Sequence, residues 1–303
     1  MLAPWAAQVA AATQDRLRVE IFPGMQLGGT PPQLYNQARD GVVDIVWTLP
    51  GSTPGRFPLT EVFELPFIAS NRGLTNALAC QEFAEQQLIE ETRDTKILSF
   101  WSHDAGLIHS NKSVTTMEDL RGLKLRNPTR LAGEALRALG ATPVGMPVPQ
   151  VPESLAQRVI DGAVIPWEVV PAVRVHELVN HHTAIPGSPT LYTASFFLAM
   201  NRPRYEGLPA ELRTALDRVS GAHFARLAGN MWDTEARTVS EMVRARPGNT
   251  IVTITEAEKA RWVAATQPVY ATWVEQMRAR NVDGARMIET ARGLIAKHAN
   301  AQP

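Results

Sequence analysis

The sequence predicts an α/β fold: mostly parallel sheets flanked by helices, divided between two lobes that share strands. Three observations carry this. Strand-like and helix-like patterns alternate four times in the first 140 residues, the order that places a parallel sheet between helical layers. The length of 303 residues suits two units of about 150 residues each. No Pro/Ser-rich linker cuts the chain, so two lobes would have to share crossovers, near Ser102 and again near Thr190.

The elements follow in order. Met1-Leu2-Ala3-Pro4-Trp5 runs straight into an alanine-rich helix over 6–13. Residues 17–22 alternate with period two and stop at Pro23-Gly24, a half-buried strand and turn. A short helix over 32–41 precedes the apolar strand 42–47. Residues 48–58 carry Pro50, Gly51, Pro54, Gly55 and Pro58 and can only be a loop. A helix over 74–91 contains Cys80, and the next strand spans 96–101.

Gly122-Leu123-Lys124-Leu125-Arg126-Asn127-Pro128-Thr129 then reads as a strand ended by a proline, which has no amide hydrogen for a ladder bond. Thr129 is the expected N-cap of a helix with Leu131, Ala135, Leu136 and Leu139 on one face, closed by Gly140. Strands at 142–146 and 163–165, helices at 152–161 and 169–178, and an apolar strand at 191–200 follow. From Pro209 the pattern is helical: 210–243, interrupted mildly by Gly221 and Gly229, then a strand at 250–255 and helices at 256–281 and 283–298.

Thirty basic residues balance thirty acidic ones, leaving no global field to recruit nucleic acid or an anionic membrane. The single cysteine excludes an internal disulfide and a cysteine metal cluster. There is no apolar run long enough to span a membrane. The opening residues lack the basic and long apolar regions of a secretory signal. Either a signal has been removed or the chain begins downstream of a natural start.

Enzyme chemistry finds little support. No Gly-x-Ser-x-Gly elbow and no glycine-rich phosphate loop is present. His181 and His182 are adjacent and do not chelate a metal by themselves. His103-Asp104 could act as acid and base on a small carboxylic acid, but without a nucleophile or second base. The inventory suits a binder, with no metal or cofactor. Arg126 stands at the carboxyl end of a strand beside a helix start, the rim where open α/β sheets bind ligands. Its planar fork fits a carboxylate, although an ordinary ion pair would suit it as well. Trp47, Trp101 and Trp167 follow predicted strands and Phe196 lies in a later one. They read either as aromatic walls of a pocket or as core packing.

The segments VEIFPGMQLG (19–28), DGVVDIVW (40–47), VFELPF (62–67), GLKLRNPT (122–129) and DGAVIPW (161–167), in this order, resemble TRAP-transporter periplasmic solute-binding proteins of the DctP type. The resemblance implies two discontinuous lobes, 1–102 with 191–229 and 103–190 with 230–303, and a long helix lying across both. It implies a ligand caught between them, with Arg126 on its carboxylate. Ile165 replaces the polar residue usual before the proline of the last motif, and is followed by Trp167 and Glu168. The second arginine of sialic-acid binders is absent after Trp101. A monocarboxylate with an apolar or aromatic body is therefore expected, walled by Trp47, Trp101, Trp167 and Phe196. Glu168, Thr129 and, as a second polar contact, Arg56 complete the expected site. The partners implied are the organic acid and the membrane permease subunits of a TRAP transporter, for a monomeric periplasmic protein. Family members begin with a strand before the first helix. That strand is missing here, so 18–22 and 43–46 are expected to lack their shared partner.

Overall fold

The computed structural model describes residues 1–303. In chain order the elements are α1 Leu2–Ala12, α2 Leu34–Arg39, β1 Ile45–Thr48, α3 Gly73–Gln87, β2 Thr95–Ser102, β3 Gly106–Ser110, β4 Lys124–Asn127, α4 Arg130–Ala138, β5 Thr142–Gly145, α5 Val151–Ala156, β6 Gly162–Pro166, α6 Val169–Ala172, α7 Val175–Leu178, β7 His181–Ala184, β8 Ser195–Asn201, α8 Arg202–Glu206, α9 Ala210–Arg218, α10 Gly221–Ala245, β9 Thr250–Thr253, α11 Glu256–Arg278 and α12 Gly284–His298. No helix is long and apolar enough to cross a membrane.

The strands form two sheets, one per lobe, ordered β1-β8-β2 and β5-β4-β6-β3-β7-β9. Helices flank both, but the sheets are mixed rather than mostly parallel. β8 returns from the second lobe and enters between β1 and β2 antiparallel to each. In the second sheet β4 pairs β5 and β6 in parallel and β7 pairs β9 in parallel, while β3 pairs β6 and β7 antiparallel. In the first sheet the departure is β8 itself; in the second it comes from β3 and β7, strands without an alternating apolar pattern. Several of their polar residues are buried and paired in place: His109 Nδ1 meets His182 Nδ1 at 2.7 Å, and the Thr183 hydroxyl donates to the Val114 carbonyl at 2.8 Å.

Residues 18–22 are not the expected strand. They are irregular, with Ile21 38% and Phe22 43% exposed, because no strand lies beside them to complete a ladder. β1 is paired on one edge only, by β8. The helix expected over 169–178 is broken at Arg174, which adopts a left-handed backbone (φ 53°). That expected over 210–243 breaks at Val219–Ser220, before Gly221 at φ 55°.

α10 begins against the first lobe through Phe224, Ala228 and Trp232 and ends against the second through Val239 and Val243. It approaches α3 closely: a Cβ on Gly229 would lie 2.5 Å from Leu74 Cα. α11 likewise passes between cores, from Trp262 in the second lobe to Trp273 and Met277 in the first, with Pro268 at the passage. α12 packs with Phe63 and Phe83 in the first lobe's core. The second lobe therefore does not take residues 230–303 entire, because the amphipathic faces of α11 and α12 find their apolar partners in the first lobe.

Candidate ligand-binding site

Arg126 lies in β4, which is paired by β5 on one side and β6 on the other. Its side chain is 2% exposed. Nε donates to the Met146 carbonyl at 2.9 Å and Nη1 to the Val164 carbonyl at 3.2 Å. Both acceptors are backbone atoms, so the guanidinium is fixed without a carboxylate partner. Of five N–H donors these bonds use two, leaving three on Nη1 and Nη2, enough for a fork on one carboxylate. Burial pushes the pKa down to about 10, so the group remains a cation at neutral pH. A buried charge without a partner is unfavourable. Arg126 lines an interlobe cavity of about 980 Å³, most of whose lining residues are hydrophobic.

Tyr192 faces the same cavity and is almost fully buried. Its hydroxyl has no hydrogen-bond partner in the protein. Burial raises its pKa and the Arg126 charge opposes that rise, which places the phenol within reach of the guanidinium's field. The ring rests on Gly106, at the start of β3. A Cβ at Gly106 would lie 1.9 Å from Tyr192 Cε1, so the close approach requires glycine. The first lobe supplies an aromatic wall. Trp47 packs on Phe196 with centroids 5.6 Å apart, and Phe196 stacks on Trp232 of α10 at 5.8 Å. In β1 Val46 and Thr48 point into the lobe, so Trp47, between them, points out and is 38% exposed. Glu168, just after β6, lines the cavity with its carboxyl held above the usual range by burial and by Glu235.

The structure thus brings Arg126, Trp47, Phe196 and Glu168 to one cavity. Four other expected site residues do not reach it. Trp101 is wholly buried behind Trp47 and Phe196, a second layer of the same stack. Trp167 turns into the second lobe's core, edge-on to His109 at 5.1 Å. Thr129 occupies the N-cap position of α4 but makes no capping hydrogen bond; its hydroxyl is buried beside Glu64. Arg56 is held in the first lobe over the Tyr35 ring at 4.4 Å and by Asn36, a fixture of its own loop.

His103 does line the cavity, but both ring nitrogens are engaged. The Ala194 N–H donates to Nε2 at 2.9 Å, so the proton sits on Nδ1 and is donated to the Asp104 carbonyl at 2.6 Å. Burial pulls its pKa down to about 4. The Asp104 carboxyl is buried away from the cavity and pushed well up, by burial first and then by Asp233. This pair is fixed in the connection between β2 and β3, and the imidazole has no free nitrogen to serve as acid or base. The sequence reading missed Tyr192 and Trp232. The only signal for Tyr192 is an aromatic residue within the predicted apolar strand 191–200, and for Trp232 one within a predicted helix.

Residues 1–276 match the family described as bacterial extracellular solute-binding protein, family 7, or DctP. Among solved structures, a TRAP solute-binding protein from Rhodoferax ferrireducens, in complex with copurified benzoate, is 43% identical. It aligns with 99% of this chain and 93% of its own, at a TM-score of 0.94. A marine metagenome TRAP solute-binding protein specific for aromatic acid ligands, in complex with meta-hydroxyphenylacetate, is 42% identical over 98% of this chain and 93% of its own, at 0.94. One from Bordetella bronchiseptica, with bound (R)- and (S)-mandelate, is 27% identical over 98% and 93%, at 0.90. With its two lobes, bridging helices and interlobe cavity, the chain belongs to the DctP family of bacterial extracellular solute-binding proteins.

Proposed function

We propose that the protein captures an aromatic monocarboxylate between its lobes and delivers it to the membrane permease subunits of a TRAP transporter, as a periplasmic monomer that returns the acid chemically unchanged. The observation that carries this reading is Arg126: a fixed, buried cation with three free N–H donors and no acid partner, lining a mostly apolar cavity. A ligand carboxylate supplies the missing charge. Its ring covers Phe196 and Trp47, and the Tyr192 hydroxyl adds a donor to the carboxylate. Each charge-assisted bond contributes about 1.5–3 kcal/mol, and the ring adds the desolvation of apolar surface. Contacts from both lobes favour the closed arrangement. The acids bound by the similar proteins, benzoate and meta-hydroxyphenylacetate, are of this class. Calorimetry with benzoate, meta-hydroxyphenylacetate and a C4-dicarboxylate tests it. Saturable binding of an aromatic acid with no binding of the dicarboxylate is expected; preference for the dicarboxylate would overturn the reading. Size exclusion and recovery of unaltered acid test the monomer and the absence of turnover.

A further inference from the structure

The two lobes touch beside the cleft at a place where the chain does not cross between them. Arg130, the first residue of α4 in the second lobe, reaches Glu61 of the turn Thr60–Glu64 in the first. Nε lies 3.3 Å from one Glu61 oxygen and Nη2 2.5 Å from the other, a side-on fork. Nη1 donates to Glu134 of its own helix at 2.6 Å. The Glu61 side chain is 8% exposed and that of Arg130 28%, so water screens the pair only in part. Leu131, next in sequence, is buried with Phe63 and Leu65 in the first lobe's core, although Ala132 and Leu136 of the same helix belong to the second lobe's. One residue before Arg130, Thr129 meets Gly51 of the first lobe. A Cβ on Gly51 would lie 2.6 Å from Thr129 Cγ2 and 3.1 Å from Thr129 Cβ. Gly51 has no positive φ, so what requires glycine there is the opposite lobe and not the local backbone. Both contacts adjoin the ligand's walls: Ser52 and Pro128, the sequence neighbours of Gly51 and Thr129, line the cavity, as does Arg126 on the strand leading into α4. Parting the lobes at this seam withdraws a carboxylate from its fork and uncovers Leu131, and both changes are unfavourable.

We propose that this seam is the clasp of the cleft: Glu61, Arg130 and Gly51 are positioning residues that touch no ligand and set how long the closed lobes hold it. The proposal rests on the reading of the protein as two lobes that capture an aromatic acid. The experiment is stopped-flow measurement of benzoate association and release by tryptophan fluorescence, with small-angle X-ray scattering of the free and ligand-saturated protein. It is run on the full chain as wild type, Glu61→Gln, Glu134→Gln, Gly51→Ala, Thr129→Ser and the Gly51→Ala/Thr129→Ser double variant. Glu61→Gln keeps the shape and removes the charge. It should release benzoate about tenfold faster or more, with association changed by less than about twofold. Glu134→Gln removes only the partner within α4 and should release benzoate as the wild type does. Gly51→Ala should wedge the seam apart, giving faster release and a larger radius of gyration with ligand bound. Thr129→Ser deletes the methyl that the wedge strikes, so the double variant should regain most of the wild-type values, a rescue that plain loss of stability would not show. Wild-type release rates in Glu61→Gln, or a Gly51→Ala defect that Thr129→Ser does not relieve, would overturn the clasp and leave the cleft reading standing. No binding of benzoate or meta-hydroxyphenylacetate to the wild type would overturn the cleft reading and this proposal with it.

Discussion

The two walls of the cleft are held in place to different degrees. The wall bearing Arg126 rises from β4, paired on both edges, and the guanidinium is clamped by two carbonyls. The wall bearing Trp47 rises from β1, paired on one edge, with the irregular residues 18–22 beyond it. The difference follows what each wall must do. A charge-assisted fork tolerates little displacement, whereas burial of a ring is non-directional and scales with area. Position is enforced where the interaction is directional and left looser where it is not. Breaking a contact on the first wall should therefore abolish binding, and on the second only weaken it.

The largest effect is expected from Arg126→Ala, which removes two or more charge-assisted bonds of about 1.5–3 kcal/mol each. Benzoate affinity should fall by roughly 100- to 10,000-fold. Arg126→Lys should do nearly as badly, since an ammonium cannot reproduce the fork. The melting temperature should change little: two carbonyls lose their donor, but a buried unpaired charge disappears. Unchanged affinity in calorimetry would remove Arg126 from the site.

Next comes the support behind Tyr192. Gly106→Ala forces a methyl into the Tyr192 ring, and overpacking of this kind costs about 1–3 kcal/mol. It should lower both the melting temperature and the affinity. Tyr192→Phe separates the two consequences, keeping the packing and removing the hydroxyl. It should weaken benzoate binding about tenfold with an unchanged melting temperature. Equal affinity in Tyr192→Phe and the wild type would leave Tyr192 a purely structural residue.

On the looser wall, Trp47→Ala should weaken binding by several-fold to about tenfold, the worth of part of one aromatic ring's burial. Ligand should quench the fluorescence of the wild type more than that of the variant. A loss as large as that of Arg126→Ala would erase the contrast between the walls.

Arg126 was legible in the sequence because its cues are local: a short strand, a proline that stops it, a helix start behind. The tryptophans were legible as strand-end residues but not as to which way they point. That depends on pairing: Trp47 alternates outward from β1, Trp101 is sandwiched behind β8's Phe196, and Trp167 lies past the end of β6, where the chain turns inward. Arg56 looked free because its partners, Asn36 and the Tyr35 ring, lie some twenty residues away in sequence. Tyr192 was hidden for a further reason: what orients it is Gly106 in β3, a strand buried at every residue with no alternating pattern. The fold's lobes and helices follow from apolar periodicity. The mixed sheet order does not, because strand direction is decided by distant pairing, as when β8 returns into the first lobe.

The smallest effect separates the two buried nitrogen bases of the cleft. Arg126, pushed down to about 10, stays positive throughout the neutral range. His103, pulled down to about 4 from an ordinary value near 6.5, stays neutral there because burial disfavours its charged form and both nitrogens are bonded to backbone. Burial raises the phenol of Tyr192, so it stays protonated. Among the acids that line the cavity, Glu168 is raised by burial and by Glu235; as pH falls it takes up a proton and the cleft loses a negative charge. Benzoate binding to the wild type should therefore tighten slightly as pH falls, so long as the ligand carboxylate remains ionised. In Glu168→Gln that contribution to the tightening should be lost. A change in the Gln variant centred near the ordinary histidine value would mean that His103 gains and loses a proton in contact with the ligand. It would then join Arg126 as a working group of the cleft, and the contrast between a clamped cation and a backbone-tied imidazole would fail.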